Sequence, residues 1–282
     1  MENLFKTCRF PCGLGVQPGG KAVEMEHIGV SSEHGQGPPL ILVPGLDGTA
    51  LLFYRQIPLL AESFRVITFP LPDDSGCTME SLVVELQELC QRLGGHERVL
   101  LCGESFGGAL SLSFALSYPE RLRGLVILNS FPVIRQRVRI RLAPYLLRVV
   151  PWGTMNLVRR FTRSRLHSPH TLPEDLSEFY QRTRHIGRTS YIRRLEILQT
   201  YDIRERLGEI QVPTLLLAGD RDHLVPSVRE AEFMAARMPR ATVQVLRGYG
   251  HVCLITHDFN LREHITPWLG RIEGPGAGPR SA

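Results

Sequence analysis

The sequence predicts an α/β fold: a mostly parallel central sheet with helices on both faces and a helical cap inserted late in the domain. Three observations carry that expectation. Short apolar runs alternate with amphipathic helical stretches along most of the chain. A serine stands in Gly103-Glu104-Ser105-Phe106-Gly107, directly between one such run and a helix-competent segment. The alternation stops at Phe131 and resumes after Thr200. With 282 residues and 43% hydrophobic content, the chain can bury one large core and still carry a smaller insertion.

Taken in order, Lys21–Val30 alternates enough for an antiparallel edge strand, and Ser31–Pro38 is polar and glycine-rich, hence a turn. Pro39–Val43 is apolar without interruption and bounded by turn residues, the pattern of a strand buried on both faces. Leu51–Ala61 reads as helix and Arg65–Phe69 as strand. Met79–Leu93 is an amphipathic helix, with Leu82, Val83, Leu86, Leu89 and Cys90 on one side. Val99–Cys102 and Gly124–Leu128 are strands on either side of the helix Ala109–Tyr118. Residues 131–200 hold helical stretches broken by Pro144, Pro151, Pro169 and Pro173, without a strand-like run. Strands at Pro213–Gly219 and Thr242–Leu246 and helices at Val228–Met238 and Asn260–Leu269 close the domain. The expected division is a core of 1–130 and 201–270, a helical cap of 131–200 and a disordered tail of 271–282.

Four pieces that bear chemistry follow the C-terminal ends of expected parallel strands, where open α/β sheets place ligands. They are Pro44-Gly45-Leu46, Ser105, Asp222 in Gly219-Asp220-Arg221-Asp222-His223-Leu224-Val225-Pro226, and His251 in Gly248-Tyr249-Gly250-His251. A serine in a strand-to-helix turn is lifted clear of the backbone, beside the free N–H groups of the helix start. Serine is a weak nucleophile at neutral pH and needs a base, for which His251 is the candidate. The base needs a carboxylate to fix its tautomer and stabilise its cation; Asp222 is the candidate, with Asp220 as the alternative. His257, six residues on, and His264, inside an expected helix, read as surface or packing histidines, and His223 as a neighbour of the acid. Asp47 reads as a turn-forming residue beside the Leu46 loop, with contact to substrate or support of the site as the alternative.

The elbow motif and the chain order Ser105, Asp222, His251, over roughly residues 38–270, resemble the α/β-hydrolase superfamily. The resemblance implies an α/β-hydrolase fold, an acyl-enzyme route and an oxyanion hole formed by the backbone N–H groups of Leu46 and Phe106. Two features depart from the common pattern. Pro44-Gly45 stands where many members carry His-Gly. Pro-Gly-Leu-Asp-Gly-Thr together with Gly-Glu-Ser resembles the hydrolase-like half of plastid phytyl ester synthases, which transfer acyl groups to lipid alcohols. Serine at the elbow excludes the epoxide hydrolases and haloalkane dehalogenases, which use aspartate there. Hydroxynitrile lyases that use a pocket lysine are set aside because lysine occurs only at Lys6 and Lys21. The function expected is cleavage of carboxylic esters. Acyl transfer or thioester cleavage by the same residues is the alternative, and a non-catalytic ligand-binding receptor of this fold is the alternative from another class.

No cofactor is expected, since there is no Gly-x-Gly-x-x-Gly and no histidine-rich set. The six cysteines (Cys8, Cys12, Cys77, Cys90, Cys102, Cys253) lack ligand spacing, so no metal site is expected. Met1–Lys6 lacks a basic start followed by an apolar stretch, and reduced thiols in a cytoplasmic enzyme are the expectation. Charge is uneven: residues 131–200 carry fourteen arginines against Glu174, Asp175, Glu178 and Glu196, in a chain of net charge +5. In Val133–Leu142 arginines alternate with apolar residues, and a helix there gathers Ile134, Val138, Leu142, Tyr145 and Leu146 into one stripe. That stripe is expected to cover the pocket, with Tyr145, Leu146, Trp152, Met155 and Tyr180 shaping a site for the apolar acyl group of a small ester. Attraction of anionic substrates and peripheral contact of the arginine-rich cap with an anionic membrane are the other readings. Nucleic acid is not an expected partner, and the oligomeric state is not legible.

Overall fold

The computed structural model describes residues 31–94, 97–135, 137–151, 154, 163–184 and 186–274. Among these residues seven strands form one sheet: β1 (Glu33–His34), β2 (Pro39–Val43), β3 (Arg65–Thr68), β4 (Val99–Glu104), β5 (Leu122–Leu128), β6 (Thr214–Gly219) and β7 (Ala241–Leu246). Their order is β1-β3-β2-β4-β5-β6-β7; β1 runs antiparallel to β3 and all other pairs are parallel. The helices are α1 (Gln56–Ala61), α2 (Met79–Arg92), α3 (Phe106–Ser117), α4 (Arg137–Val149), α5 (Arg163–Leu166), α6 (Pro173–Thr183), α7 (Arg188–Thr200), α8 (Ser227–Ala235) and α9 (Leu261–Glu273).

The strands are apolar on both faces because both faces are covered. Ile41, Val43, Leu101, Ile127 and Leu216 pack under α2, α3 and α8. Their neighbours Leu40, Leu42, Leu100, Cys102, Val126, Leu128, Leu215 and Leu217 pack under α1 and α9 on the opposite face. Successive side chains of one strand thus enter two separate cores, as a period of two requires. Helix α2 begins at a capping box in which Thr78 and Ser81 exchange side-chain and backbone bonds at 2.9 and 3.1 Å. Helix α9 begins at Asn260, whose side chain accepts from the N–H of Arg262 at 3.1 Å. Buried Gln56 ties α1 to the approach to α9, donating to the carbonyls of Leu254 and Phe259 and accepting from the N–H of Leu261 at 2.8–3.0 Å.

Two boundaries differ from the sequence reading. The antiparallel edge strand lies at Glu33–His34, inside the stretch expected as a turn, where it pairs with Val66 and Ile67 and where Glu33 is bonded by Arg65. The expected strand at Lys21–Val30 lies outside the described residues. Residues 271–273, expected in the tail, are helical instead, because α9 continues through Glu273, which is held by Arg123 of β5; residues 275–282 lie outside the described residues. Between β5 and β6 every described element is helical except a single bridge, Val133 to Asp202.

Trp268 of α9 is 1% exposed and packs where Gly124 leaves room on β5. Trp268→Ala is expected to cost about 3–5 kcal/mol, read from the shift of the urea unfolding midpoint at unchanged slope.

Candidate active site

Strand β4 delivers its last residue straight into a turn whose tightness comes from two glycines. A methyl group on Gly103 would overlap the carbonyl of Gly107, and one on Gly107 would overlap the carbonyl of Val43 on the neighbouring strand. Ser105 between them takes φ 53° and ψ −114°, a conformation that costs a side-chain-bearing residue about 1–3 kcal/mol and persists only where its surroundings impose it. Its N–H donates to the Leu128 carbonyl at 2.9 Å, and its own carbonyl accepts from Ser130 Oγ at 2.7 Å. The backbone is thereby clamped to β5 while Oγ stays free to act.

His251 meets that hydroxyl. Its Nε2 lies 3.0 Å from Ser105 Oγ and its Nδ1 lies 2.7 Å from Asp222 Oδ2, with all three residues buried. Asp222 also accepts from the N–H groups of Leu224 and Val225, both at 2.9 Å, and from the hydroxyl of Ser227. Burial alone would raise this carboxyl, but the charge of His251 and these hydrogen bonds outweigh it and hold Asp222 below the usual aspartate value. For His251, burial opposes the cation, and the charge of Asp222 and its hydrogen bond outweigh that penalty and raise the imidazole. Asp220, the alternative acid, instead accepts the N–H of Gly248 at 2.7 Å, as a turn residue would. His264 meets Gln244, and His257 stands 3.9 Å from Asp175; neither approaches the serine.

The registry of these loops depends on Asn129, which no sequence pattern singles out. At φ 47° beyond the end of β5, its Oδ1 accepts the N–H of Gly219 at 2.8 Å. Its Nδ2 donates to the carbonyls of Gly250 at 3.1 Å and His251 at 2.7 Å. One buried amide therefore joins β5, the end of β6 and the histidine loop.

The chain as a whole has known relatives. The alpha/beta hydrolase fold family model matches residues 38–258. The chain belongs to that family. RutD of Stutzerimonas stutzeri, a protein named for carbamate hydrolysis, is 29% identical over 265 residues, covering 83% of this chain and 94% of the relative. The pimeloyl-[acyl-carrier protein] methyl ester esterase of Nitrosomonas europaea is 29% identical over 240 residues, covering 77% of this chain and 90% of the relative. Among solved structures, a thermophilic esterase from Thermogutta terrifontis superimposes with a TM-score of 0.76 at 24% identity, over 86% of this chain and 93% of that one.

Two further residues of this α/β hydrolase sit at the site without a signal in the sequence to mark them. Glu104, the variable residue of the elbow, is buried with Oε1 at 3.7 Å from His251 Nε2. Its other oxygen lies against Gly45, where any side chain would collide with it. Burial pushes its carboxyl up to about 7, against the pull of His251 and the Gly45 N–H. Arg194 of α7 is 2% exposed and donates to the carbonyls of Leu46 at 3.0 Å, Asp47 at 3.3 Å and Pro72 at 3.1 Å. Helix α7 thus grips the loop after β2. Within that loop Gly48 N–H closes a turn on the Gly45 carbonyl at 3.1 Å, while the N–H of Leu46 takes no part in the turn's bond. Asp47 accepts from the N–H and hydroxyl of Thr49 at 3.0 and 2.7 Å, the turn role expected of it. Phe106 opens α3, so its N–H has no partner within that helix.

The expected pocket residues separate. Tyr145 and Leu146 on α4 are 66% and 58% exposed, so they do not enclose a site. The helix packs through its other face, with Pro144 buried and the carbonyls of Ile140 and Leu147 bonded by Gln199 and Arg188 of α7. Trp152 and Met155 lie outside the described residues. Tyr180 is half-buried against Leu52, Phe179, Val252 and Ile255, an apolar cluster that adjoins His251 through Val252.

A neutral His251 is required to take a proton from Ser105, so activity must fall as pH drops through the imidazole pKa, which lies above the ordinary 6.5. Glu104→Gln removes the negative neighbour and lowers that pKa. The acid limb of kcat/KM toward a p-nitrophenyl ester is expected to move down by about half a pH unit or more, as a charge within 4 Å warrants. An unmoved limb would show that Glu104 does not act on the imidazole.

Proposed function

We propose that this hydrolase is a serine esterase that cleaves carboxylic esters through an acyl-enzyme. The observation that carries the reading is the unbroken line from Ser105 Oγ to His251 Nε2 at 3.0 Å and from His251 Nδ1 to Asp222 at 2.7 Å. A relative named for methyl ester cleavage, at 29% identity, supports the same class of bond, and one named for carbamate hydrolysis, also at 29%, supports hydrolysis more broadly.

In this reading His251 Nε2 takes the hydroxyl proton as Ser105 Oγ bonds to the ester carbonyl carbon. The carbonyl electron pair moves onto oxygen, and the N–H groups of Leu46 and Phe106 receive that charge. Either donor is worth about 2.7–4 kcal/mol of barrier. Asp222 stabilises the imidazolium and keeps the ring in one tautomer. Collapse of the tetrahedral adduct breaks the bond to the alkoxy oxygen, which leaves as the alcohol with the proton from His251. Water then repeats the sequence on the acyl-serine, giving the acid and restoring the hydroxyl. Arg194 serves by holding the Leu46 loop in register.

The apolar cluster beside His251 supports an apolar acyl group. Tyr180 stands against that cluster with its hydroxyl buried and without a protein partner among the described residues, a donor that a substrate oxygen can use. Helices α4 to α7 form the helical cap of this reading, with α6 and α7 over the site.

With p-nitrophenyl esters of increasing acyl length, a burst of p-nitrophenol followed by steady turnover is expected. Ser105→Ala abolishes the burst, and Asp222→Asn lowers kcat by about 10⁴-fold. No turnover of any acyl length by the folded protein would overturn the esterase reading. Ester rather than acid as product in the presence of an alcohol would replace it with acyl transfer.

A further inference from the structure

Helix α4 is amphipathic in an unusual sense: its apolar stripe faces away from the other described residues. Leu142, Tyr145, Leu146 and Val149 are 53%, 66%, 58% and 78% exposed, and their spacing of three and four residues puts them on one line. Buried Pro144 and half-buried Ile140, Ala143 and Leu147 occupy the opposite side, against α7. A row of four large apolar side chains in water is unfavourable unless something covers it.

The surroundings of the row favour an anionic cover. Arg141 is exposed on its flank, and Arg148, on the same flank, reaches over the Tyr145 ring at 5.7 Å. Arg148 also lines a cleft of about 290 Å³ with Arg188, Arg193 and Glu196; Glu196 pairs with both Arg148 and Arg193, and its one charge leaves the three guanidinium groups in excess. Residues 131–200 together carry fourteen arginines and four acidic residues. A second copy presenting the same face would bring two strongly positive segments together, which argues against self-association. A bilayer with anionic headgroups satisfies both features: its acyl boundary accepts the stripe and its phosphates accept the arginines. No described helix is long and apolar enough to cross a membrane, so the contact is one of lying on the surface.

We propose that the outward face of α4 is a peripheral docking surface for an anionic lipid bilayer. Leu142, Tyr145, Leu146 and Val149 enter the headgroup boundary, and Arg141 with the cleft of Arg148, Arg188 and Arg193 receives phosphate groups. The proposal concerns binding alone and stands apart from the esterase reading; its test reads partitioning rather than turnover.

The test is flotation of the full chain with phosphatidylcholine vesicles, with and without about 30 mol% phosphatidylglycerol. The wild type is expected to partition at least about tenfold more strongly onto the anionic vesicles and to be released near 0.5 M salt, where the Debye length is about 4 Å. Leu146→Asp is expected to weaken partitioning by more than about tenfold. Arg141→Glu, at about fivefold per charge, is expected to do the same. Both positions are exposed, so circular dichroism and thermal midpoints stay at the wild-type values. Absence of vesicle binding, or binding unchanged in Leu146→Asp, overturns the proposal. So does a wild-type dimer that Leu146→Asp dissociates, or capture of an acidic protein without vesicle binding, each of which assigns the face to another occupant.

Discussion

The close crossing of β4 and α3 is the constraint on which the rest of the site depends. Gly103 and Gly107 let the helix start against the neighbouring backbone of β2, and Ser105 between them is forced to φ 53°. Because the two faces of the sheet are packed by separate cores, neither strand nor helix can relax to relieve that strain. The result is a hydroxyl fixed at the C-terminal edge of the sheet with helix N–H groups beside it. Everything else in the site is arranged to meet an oxygen whose position is already settled.

Meeting it requires registry among loops far apart in sequence. Asn129 supplies much of this by bonding the ends of β5 and β6 and the loop of His251 with one side chain. Asp222 is held by two backbone N–H groups and Ser227, so its carboxylate is charged and directed before any substrate arrives. Arg194 extends the same principle to α7. A guanidinium held by three carbonyls ties α7 to the Leu46 loop, so a shift of that helix is felt at the loop. Glu104 adds an unusual element, a buried carboxyl between Gly45 and the imidazole, and makes the proton balance of the site a property of three groups rather than two.

The alternating core was legible because a short, continuous apolar run between turn residues, such as Pro39–Val43, suits a strand covered on both faces and little else. The elbow was legible because glycine spacing, strand and helix coincide there. Ser105, Asp222 and His251 could be paired by their places after strands. Asn129 and Arg194 could not, since a lone asparagine after a strand and one arginine among fourteen carry no pattern; only the folded chain shows which backbone groups they reach. The two-residue strand β1 was missed for a related reason, as Glu33–His34 is too short and polar for periodicity to register. The reading of α4 failed on direction. Helical spacing shows that Leu142, Tyr145 and Leu146 share a face but not where the face points, and packing against α7 turned it outward.

The proposed esterase activity requires Ser105, held by the packing around the elbow, to act as a nucleophile. Intact-mass spectrometry after treatment with a fluorophosphonate tests it without knowledge of the natural substrate. A single adduct per chain is expected, mapped to Ser105 by peptide sequencing, lost in His251→Ala and suppressed as the imidazole is protonated at low pH. An unlabelled protein with a native circular dichroism spectrum, or an adduct on another residue, would contradict it.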